Sequence, residues 1–263
     1  MNVCGLGYRT DLIFAAYDGV ITDRGDYLVI RSPLNPTFYW GNFLLFERPP
    51  APGDLERWQA LFAREIGAPP EVQHQTFGWD TTDGEAGAAE AFVEAGFRLS
   101  RSVVLTAREP KAPARPSQGY DLRPVCSDDE WAQVVENQIV CRDPEHDEAG
   151  YRVFCEDRFR RYRAMAAEGR GAWYGAFLDG RLAGDMGLFH DGEVGRYQAV
   201  ETLPAHRRRG IAASLVVVAA RHARATFGVR RLVIVAERGA AAERLYRSVG
   251  FRVREQQVGL ERW

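Results

Sequence analysis

The sequence is poor in several patterns that define whole classes of protein. Its four cysteines, in 263 residues, have no paired metal-ligand spacing, so we expect reduced thiols, no metal site and a cytoplasmic location. No apolar run approaches the ~20 residues of a transmembrane helix, and residues 1–10 lack the charged and apolar regions of a signal peptide. The formal net charge of −2 argues against a nucleic-acid or membrane partner.

What is present suits a globular protein with two domains. The hydrophobic content of 46% is ordinary, and it is enough to build the core of one large domain or two small ones. Residues 108–119 contain three prolines and no apolar periodicity, which is typical of an extended linker. We therefore predict one domain over residues 1–107, a linker over 108–119 and a second domain over 120–263.

The two predicted domains repeat one another. Residues 88–98 are similar to residues 242–252 at an offset of 154 positions, which places Gly96 on Gly250. The same offset places Pro50 on Pro204. Agreement at both ends of a domain half indicates that the halves are related.

Periodicity and turn residues predict the order of elements. In the second half, a capping box from Ser127 to Glu130 begins a helix, and two Asp-Gly pairs indicate hairpin turns. For the first half we predict strands near 12–20, 27–31, 38–46, 71–78 and 97–105, and helices near 54–66 and 86–95. For the second half we predict strands near 120–125, 172–178, 181–190, 193–202, 231–236 and 251–261, and helices from 127, over 151–168, from about 210 and over 240–249.

The most informative segment is residues 202–213, Thr-Leu-Pro-Ala-His-Arg-Arg-Arg-Gly-Ile-Ala-Ala. A strand ends there, three arginines follow, and a helix begins. The unpaired N–H groups and positive dipole of a helix start suit a pyrophosphate, and arginines add charge-assisted hydrogen bonds. Gly210 and Ala212 keep the backbone accessible to a ligand. The residues of this predicted phosphate cradle are Arg207, Arg208, Arg209, Gly210, Ile211, Ala212 and Ala213.

Together with residues 242–251, Ala-Glu-Arg-Leu-Tyr-Arg-Ser-Val-Gly-Phe, this segment resembles the GNAT superfamily of acetyl-CoA-dependent N-acetyltransferases. The resemblance covers roughly residues 119–263. It implies an α/β (α+β) fold with two GNAT-like domains, each a mixed, mostly antiparallel sheet flanked by helices. It also implies acetyl-CoA as cosubstrate and transfer of its acetyl group to a primary amine. No metal-ligand spacing and no Ser-His-Asp or Cys-His nucleophile signature occurs, so we expect no metal and direct transfer within a ternary complex. The second domain beside the active one suggests a partly enclosed site, which favours a small molecule over a protein as acceptor.

The resemblance assigns roles to individual residues. Tyr246 matches the general acid that protonates the CoA sulfur. The backbone of Thr202 and Leu203 is expected to pair with the pantetheine arm like an added strand. Gly239 replaces an asparagine that often touches CoA, three residues before Ala242.

The sequence does not decide which residue is the general base. Glu201 is the first candidate, and Glu193 and His190 are the alternatives, while His206 is expected to neighbour the cofactor. Four carboxylates in residues 142–150 either attract a cationic amine or cap a solvated loop.

The first half is interpreted as a degenerate copy. With the offset of 154, residues 53–56 align with the cradle arginines and place carboxylates there, and Phe92 replaces Tyr246. Two other functions stay open: a non-catalytic CoA-sensing or regulatory protein, and a transferase of another acyl group or for a protein N-terminus. The expected assembly is a monomer or a homodimer.

Overall fold

The structure is a computed structural model that describes residues 1–263, and its chain forms two compact units. Unit 1 comprises Met1–Val104, Val235–Ala240 and Val253–Trp263. Unit 2 comprises Leu105–Ile234 and Ala241–Arg252. The predicted division was contiguous, whereas unit 1 takes two segments from the second half of the chain. The fold class is confirmed, because both units are α/β with mostly antiparallel pairing.

The first half of the chain supplies three helices and five strands. These are α1 (Leu6–Asp18), β1 (Val20–Asp23), β2 (Tyr27–Arg31), β3 (Phe43–Phe46), α2 (Asp54–Glu65), β4 (Gln75–Trp79), α3 (Glu90–Glu94) and β5 (Arg98–Ala107). The second half supplies β6 (Asp121–Pro124), α4 (Asp128–Cys141), α5 (Glu148–Ala167), β7 (Gly171–Leu178), β8 (Arg181–Asp191), β9 (Val194–Thr202), α6 (Ile211–Phe227), β10 (Arg231–Glu237), α7 (Ala241–Ser248) and β11 (Arg252–Arg262).

The sheet of unit 1 contains a strand from the far end of the sequence. Its order is β1-β2-β3-β4-β11-β5, followed by the end of β10. β11 pairs antiparallel with β4, with Gly259 opposite Gly78 and Leu260 opposite Phe77. This pairing explains why unit 1 is not contiguous in sequence. Aromatic side chains fill its core, and the rings of Phe46 and Trp58 stack at 3.8 Å.

The first predicted strand, over residues 12–20, is wrong, because residues 6–18 form α1. A short apolar run does not distinguish a strand from a buried helix. The start of this helix is fixed from distant residues: Asp80 accepts hydrogen bonds from the N–H groups of Cys4 (2.6 Å) and Gly5 (2.8 Å). Glu255 accepts from Leu6 N–H (2.7 Å). The hydrophobic pattern of residues 6–18 gives no information about these long-range contacts.

Unit 2 follows the prediction closely. Its strands are ordered β10-β9-β8-β7-β6, with one parallel pair, β10 with β9. The predicted hairpin turns connect β7 to β8 and β8 to β9, with Asp179 (φ 50°) and Gly180 (φ 75°) in the first. Trp173, Phe159 and Leu215 are buried in its core.

The predicted capping box of α4 is present. Ser127 Oγ accepts from Glu130 N–H (3.2 Å), and the Glu130 carboxylate accepts from Ser127 N–H (3.2 Å). We expect Ser127→Ala to lower the free energy of unfolding by about 1 kcal/mol, because a helix N–H loses its acceptor. Chemical denaturation would measure this. Ser127→Asp restores a capping oxygen, so equal loss of stability in both variants would contradict the role of the cap.

Candidate functional site

The site begins where two parallel strands of unit 2 stop pairing. The β9–β10 ladder joins Val194–Arg196 to Arg231–Val233 and goes no further, although β9 continues to Thr202. Beyond the ladder, Ala199 has a left-handed backbone (φ 42°), and the β8–β9 register shifts between Asp185 and Gly187. Such an irregularity bends a strand away from its neighbour. The second half of β9 therefore has a backbone edge that β10 does not cover.

The corresponding strands of unit 1 stay together. β3 and β4 pair through their last residues, Phe46 with Trp79, and Asp80 N–H then donates to Phe46 O (2.9 Å). Trp58 and Phe92 fill the space beneath these strands with fully buried rings. Unit 1 has no equivalent opening.

The segment after β9 contains the residues of the predicted cradle and turns into α6. Pro204–His206 makes one 3-10 turn, and Arg208 (φ 66°) and Gly210 (φ 78°) are both left-handed before α6 begins at Ile211. Alternating left-handed residues turn successive N–H groups toward one concave side, an arrangement that binds anions. The first helical hydrogen bond runs from Ser214 N–H to Gly210 O (3.0 Å), so the preceding N–H groups have no acceptor within the helix.

The charges around the cradle favour an anion. Arg207, Arg208 and Arg209 are exposed, and the first turn of α6, which contains the half-buried Ala212, holds no acidic residue. Arg209 donates to Tyr120 Oη (3.4 Å), and Tyr120 Oη lies 2.9 Å from Nδ1 of His206. These contacts join His206 to the arginine run through Tyr120, and its place beside a cofactor stays a prediction.

Gly210 is required for two reasons. Its φ is left-handed, and a Cβ there would collide with the carbonyl oxygen of Arg115. The nearby Ser117 N–H donates to Ser214 Oγ (2.9 Å), and Lys111 N–H donates to Val249 O (2.8 Å). The segment predicted as an extended linker thus has no regular structure and is packed within unit 2.

The backbone of Thr202 and Leu203 is engaged within the protein. Thr202 O accepts from Arg207 Nε (3.1 Å), and Leu203 N–H donates to Ala183 O (3.0 Å). The uncovered edge for a ligand therefore lies earlier on β9, before Thr202. Gly239 (φ 81°) lies in the exposed turn between β10 and α7, and Ala242 is half-buried in the first turn of α7.

Tyr246 and Glu201 both have raised pKa values. Tyr246 lies on α7 and is 6% exposed. Burial raises the pKa of its hydroxyl, and the charge of Glu201 adds to the rise. Burial also raises the pKa of Glu201, while Arg207, Cys141 and Arg158 oppose that rise. A carboxyl group with a raised pKa is a better proton acceptor than an exposed one.

A second carboxylate faces the same side of the sheet, and the sequence analysis missed it. Asp185 stands directly opposite Glu201 in the β8–β9 ladder and is completely buried. Its carboxylate accepts from Asn137, from Gln138 Nε2 (2.8 Å) and from Trp173 Nε1 (3.0 Å). Burial raises the pKa of Asp185 to about 7, and the charge of Glu201 contributes. An aspartate in the middle of an apolar strand was the available sequence signal.

The other candidate bases lie elsewhere. Glu193 precedes β9 at the end opposite Glu201 and pairs with Arg230 (3.2 Å). His190, at the same end of the β8–β9 hairpin, has its Nε2 3.1 Å from Gly169 O. Of the three candidate bases, only Glu201 contributes to the raised pKa of Tyr246.

Carboxylates of the 142–150 loop are largely engaged locally. Asp147 caps α5 by accepting from Ala149 and Gly150 N–H, and Glu148 pairs with Arg142 (3.3 Å). Asp143 accepts from Glu145 N–H (3.1 Å). These contacts favour the capped-loop interpretation over attraction of a cationic amine.

The equivalence predicted for the first half is wrong by three residues. Gly53 (φ 88°) precedes α2 just as Gly210 precedes α6, so Gly53 and not Glu56 corresponds to Gly210. Pro50-Ala51-Pro52 then replaces the three arginines. Two of these residues have no N–H, and Ala51 N–H already donates to Asp54 (2.9 Å). Residues 50–52 therefore supply neither the positive charge nor the N–H donors that Arg207, Arg208 and Arg209 supply in the second half.

No group of three or more His, Cys, Asp or Glu side chains is arranged to hold a metal ion. No helix is long and apolar enough to cross a membrane.

Comparison with known proteins agrees with this geometry. Residues 131–251 match the model of the acetyltransferase (GNAT) family. A GCN5-related N-acetyltransferase from Kribbella flavida is 21% identical, with a TM-score of 0.62 and coverage of 98% of this chain and 95% of that one. A conserved protein of unknown function from Staphylococcus epidermidis is 14% identical, with a TM-score of 0.73 and coverage of 94% of both chains. A tandem GNAT protein from the clavulanic acid biosynthesis pathway is 17% identical, with a TM-score of 0.54 and coverage of 96% and 86%. No curated protein matches this chain.

Proposed function

We propose that this chain, whose residues 131–251 belong to the GNAT acetyltransferase family, moves an acetyl group from acetyl-CoA to a primary amine of a small molecule. The observation that carries the proposal is the contrast between the halves. The second has an uncovered strand edge that leads into a cradle with three arginines, and the first has neither.

The cradle fits the pyrophosphate of CoA. The left-handed backbone at Arg208 and Gly210 gathers N–H donors, and the helix dipole of α6 favours negative charge. When bound, acetyl-CoA supplies a thioester carbonyl as the electrophile. The backbone edge of β9 before Thr202 would hold the pantetheine arm by strand-like hydrogen bonds.

The remaining steps belong to side chains. Glu201 accepts a proton from the acceptor amine, whose nitrogen then forms a bond to the carbonyl carbon. As the carbon–sulfur bond breaks, Tyr246 donates its hydroxyl proton to the departing sulfur. Because the acceptor enters as an ammonium ion, its nitrogen loses a second proton on forming the amide, and this proton restores the Tyr246 hydroxyl through solvent. The role requires a protonated hydroxyl at neutral pH, which an ordinary tyrosine already has, and burial raises the pKa of Tyr246 further. The transfer is direct within a ternary complex and uses no covalent enzyme intermediate.

Calorimetric titration with acetyl-CoA tests the binding step. We expect one site per chain, and about tenfold weaker binding for Arg208→Gly, which removes a charged phosphate contact but keeps the left-handed backbone. Asp179→Gly is the matched control. It also replaces a left-handed residue (φ 50°) by glycine, but in the β7–β8 turn instead of the cradle. Two sites per chain would contradict a degenerate first half, and no binding would contradict the proposal.

Release of free CoA thiol, followed with a panel of primary amines, tests the transfer step. Binding without transfer to any amine or peptide N-terminus would favour a CoA-sensing protein instead. Transfer from a longer acyl-CoA but not from acetyl-CoA would show that the protein transfers another acyl group.

A further inference from the structure

Helix α5 has a buried stripe and a second, partly exposed face. Cys155, Phe159 and Met165 recur at helical spacing and are buried in the core. Tyr151 and Phe154, in the first two turns, are only half-buried. Partly exposed aromatic side chains in the first turns of one helix are available to a ligand.

These side chains form a continuous aromatic row, which we define as His146, Tyr151, Phe154 and Arg158. The rings of His146 and Tyr151 stack at 5.7 Å, and those of Tyr151 and Phe154 meet at 5.2 Å. The Arg158 guanidinium lies 5.4 Å from the centre of the Phe154 ring. The row therefore presents planar groups in sequence along α5.

The aromatic row borders Glu201. Arg158 donates to Gln198 Oε1 on β9 (3.3 Å), three residues before Glu201. The charge of Glu201 contributes to raising the pKa of Tyr151, and Arg158 opposes the rise in the pKa of Glu201. The row thus lies beside the part of β9 that β10 does not cover.

We propose that the acceptor is a primary amine joined by a short chain to an aromatic ring. The ring stacks on the aromatic row and the amine faces Glu201. This inference rests on the proposed function, since it takes Glu201 as the proton acceptor. Aromatic rings gain from stacked and edge-to-face contacts beyond the area that they bury, so a saturated ring of similar size gains less.

A matched pair of acceptors isolates this effect. 2-Phenylethylamine and 2-cyclohexylethylamine share the chain and the amine and differ in the ring. We expect kcat/KM to be about fivefold higher for the phenyl compound. Phe154→Leu keeps an apolar side chain and should bring the ratio close to one, whereas Phe154→Tyr should retain it. Val153→Ala is the control on the same helix, because Val153 is 54% exposed and outside the row.

The outcomes separate the two claims. Transfer to both amines with equal kcat/KM, or an unchanged ratio in Phe154→Leu, overturns the aromatic acceptor and leaves the acetyltransferase intact. Absence of transfer to any amine, despite acetyl-CoA binding by calorimetry, overturns the proposed function itself. Thermal unfolding of each variant shows whether a lost ratio reflects a lost fold.

Discussion

Ala212→Asp is expected to abolish measurable CoA binding while leaving the protein at least as stable as the wild type. Ala212 lies in the first turn of α6, where no acidic residue occurs. A carboxylate there interacts favourably with the helix dipole, by a few tenths of a kcal/mol, but repels a pyrophosphate in the same place. We expect the affinity for acetyl-CoA to fall about 100-fold or more, since the charge both opposes the ligand and occupies its N–H donors.

This variant is informative because it is expected to weaken acetyl-CoA binding without lowering the stability of the protein. Calorimetry measures the affinity and thermal unfolding measures the stability. α2 of unit 1 already has Asp54 and Glu56 in its first turn, so a helix of this protein tolerates such charges. Ala212→Ser is the neutral control and should bind acetyl-CoA almost as the wild type does. Unchanged binding by Ala212→Asp would place the pyrophosphate elsewhere.

Tyr246→Phe is expected to lower kcat by about 100-fold with little change in the KM for acetyl-CoA. The substitution removes only the hydroxyl proton that the proposed mechanism gives to the departing sulfur, and general acid catalysis commonly contributes this much. The ring that packs against Phe251, at 6.4 Å, is retained. Steady-state kinetics with thiol detection measures both constants.

A second buried tyrosine provides the control. The Tyr174 hydroxyl lies 2.9 Å from His222 Nδ1, on the β7 side of unit 2, and the mechanism does not use it. Tyr174→Phe should keep kcat near the wild-type value. If both variants keep full activity, Tyr246 has a packing role only, and water protonates the sulfur.

Sequence predicted the second half of the chain better than the first. The capping box at Ser127, the Asp179-Gly180 turn and the helix start after the arginine run each carry their structural signal within a few residues, and all three are present. α1 was missed because its start depends on Asp80 and Glu255, which are distant in sequence.

The candidate site shows the same limit. Its helix start could be predicted, because cradle residues are adjacent in sequence. The placement of Asp185 directly opposite Glu201 could not be predicted from the sequence. It depends on the register of two strands and on the irregularity at Ala199. The correspondence of Gly53 with Gly210 was missed because the two halves differ in spacing. The first half has three more residues than the second between this glycine and the repeated segment that contains α3 or α7.

The position of β11 inside the sheet of unit 1 also affects how the protein is made. β4 pairs on one side with β3 and on the other with residues 259–262, which are synthesised long after β3 and β4. Until residues 259–262 are made, β4 lacks the partner on that side, and an unpaired strand edge recruits other strands. Leu44, Phe77 and Trp79 lie on these strands and are buried only in the finished unit. The sheet of unit 1 can therefore be completed only after β11 is made, although every residue of β1 to β4 has long been synthesised.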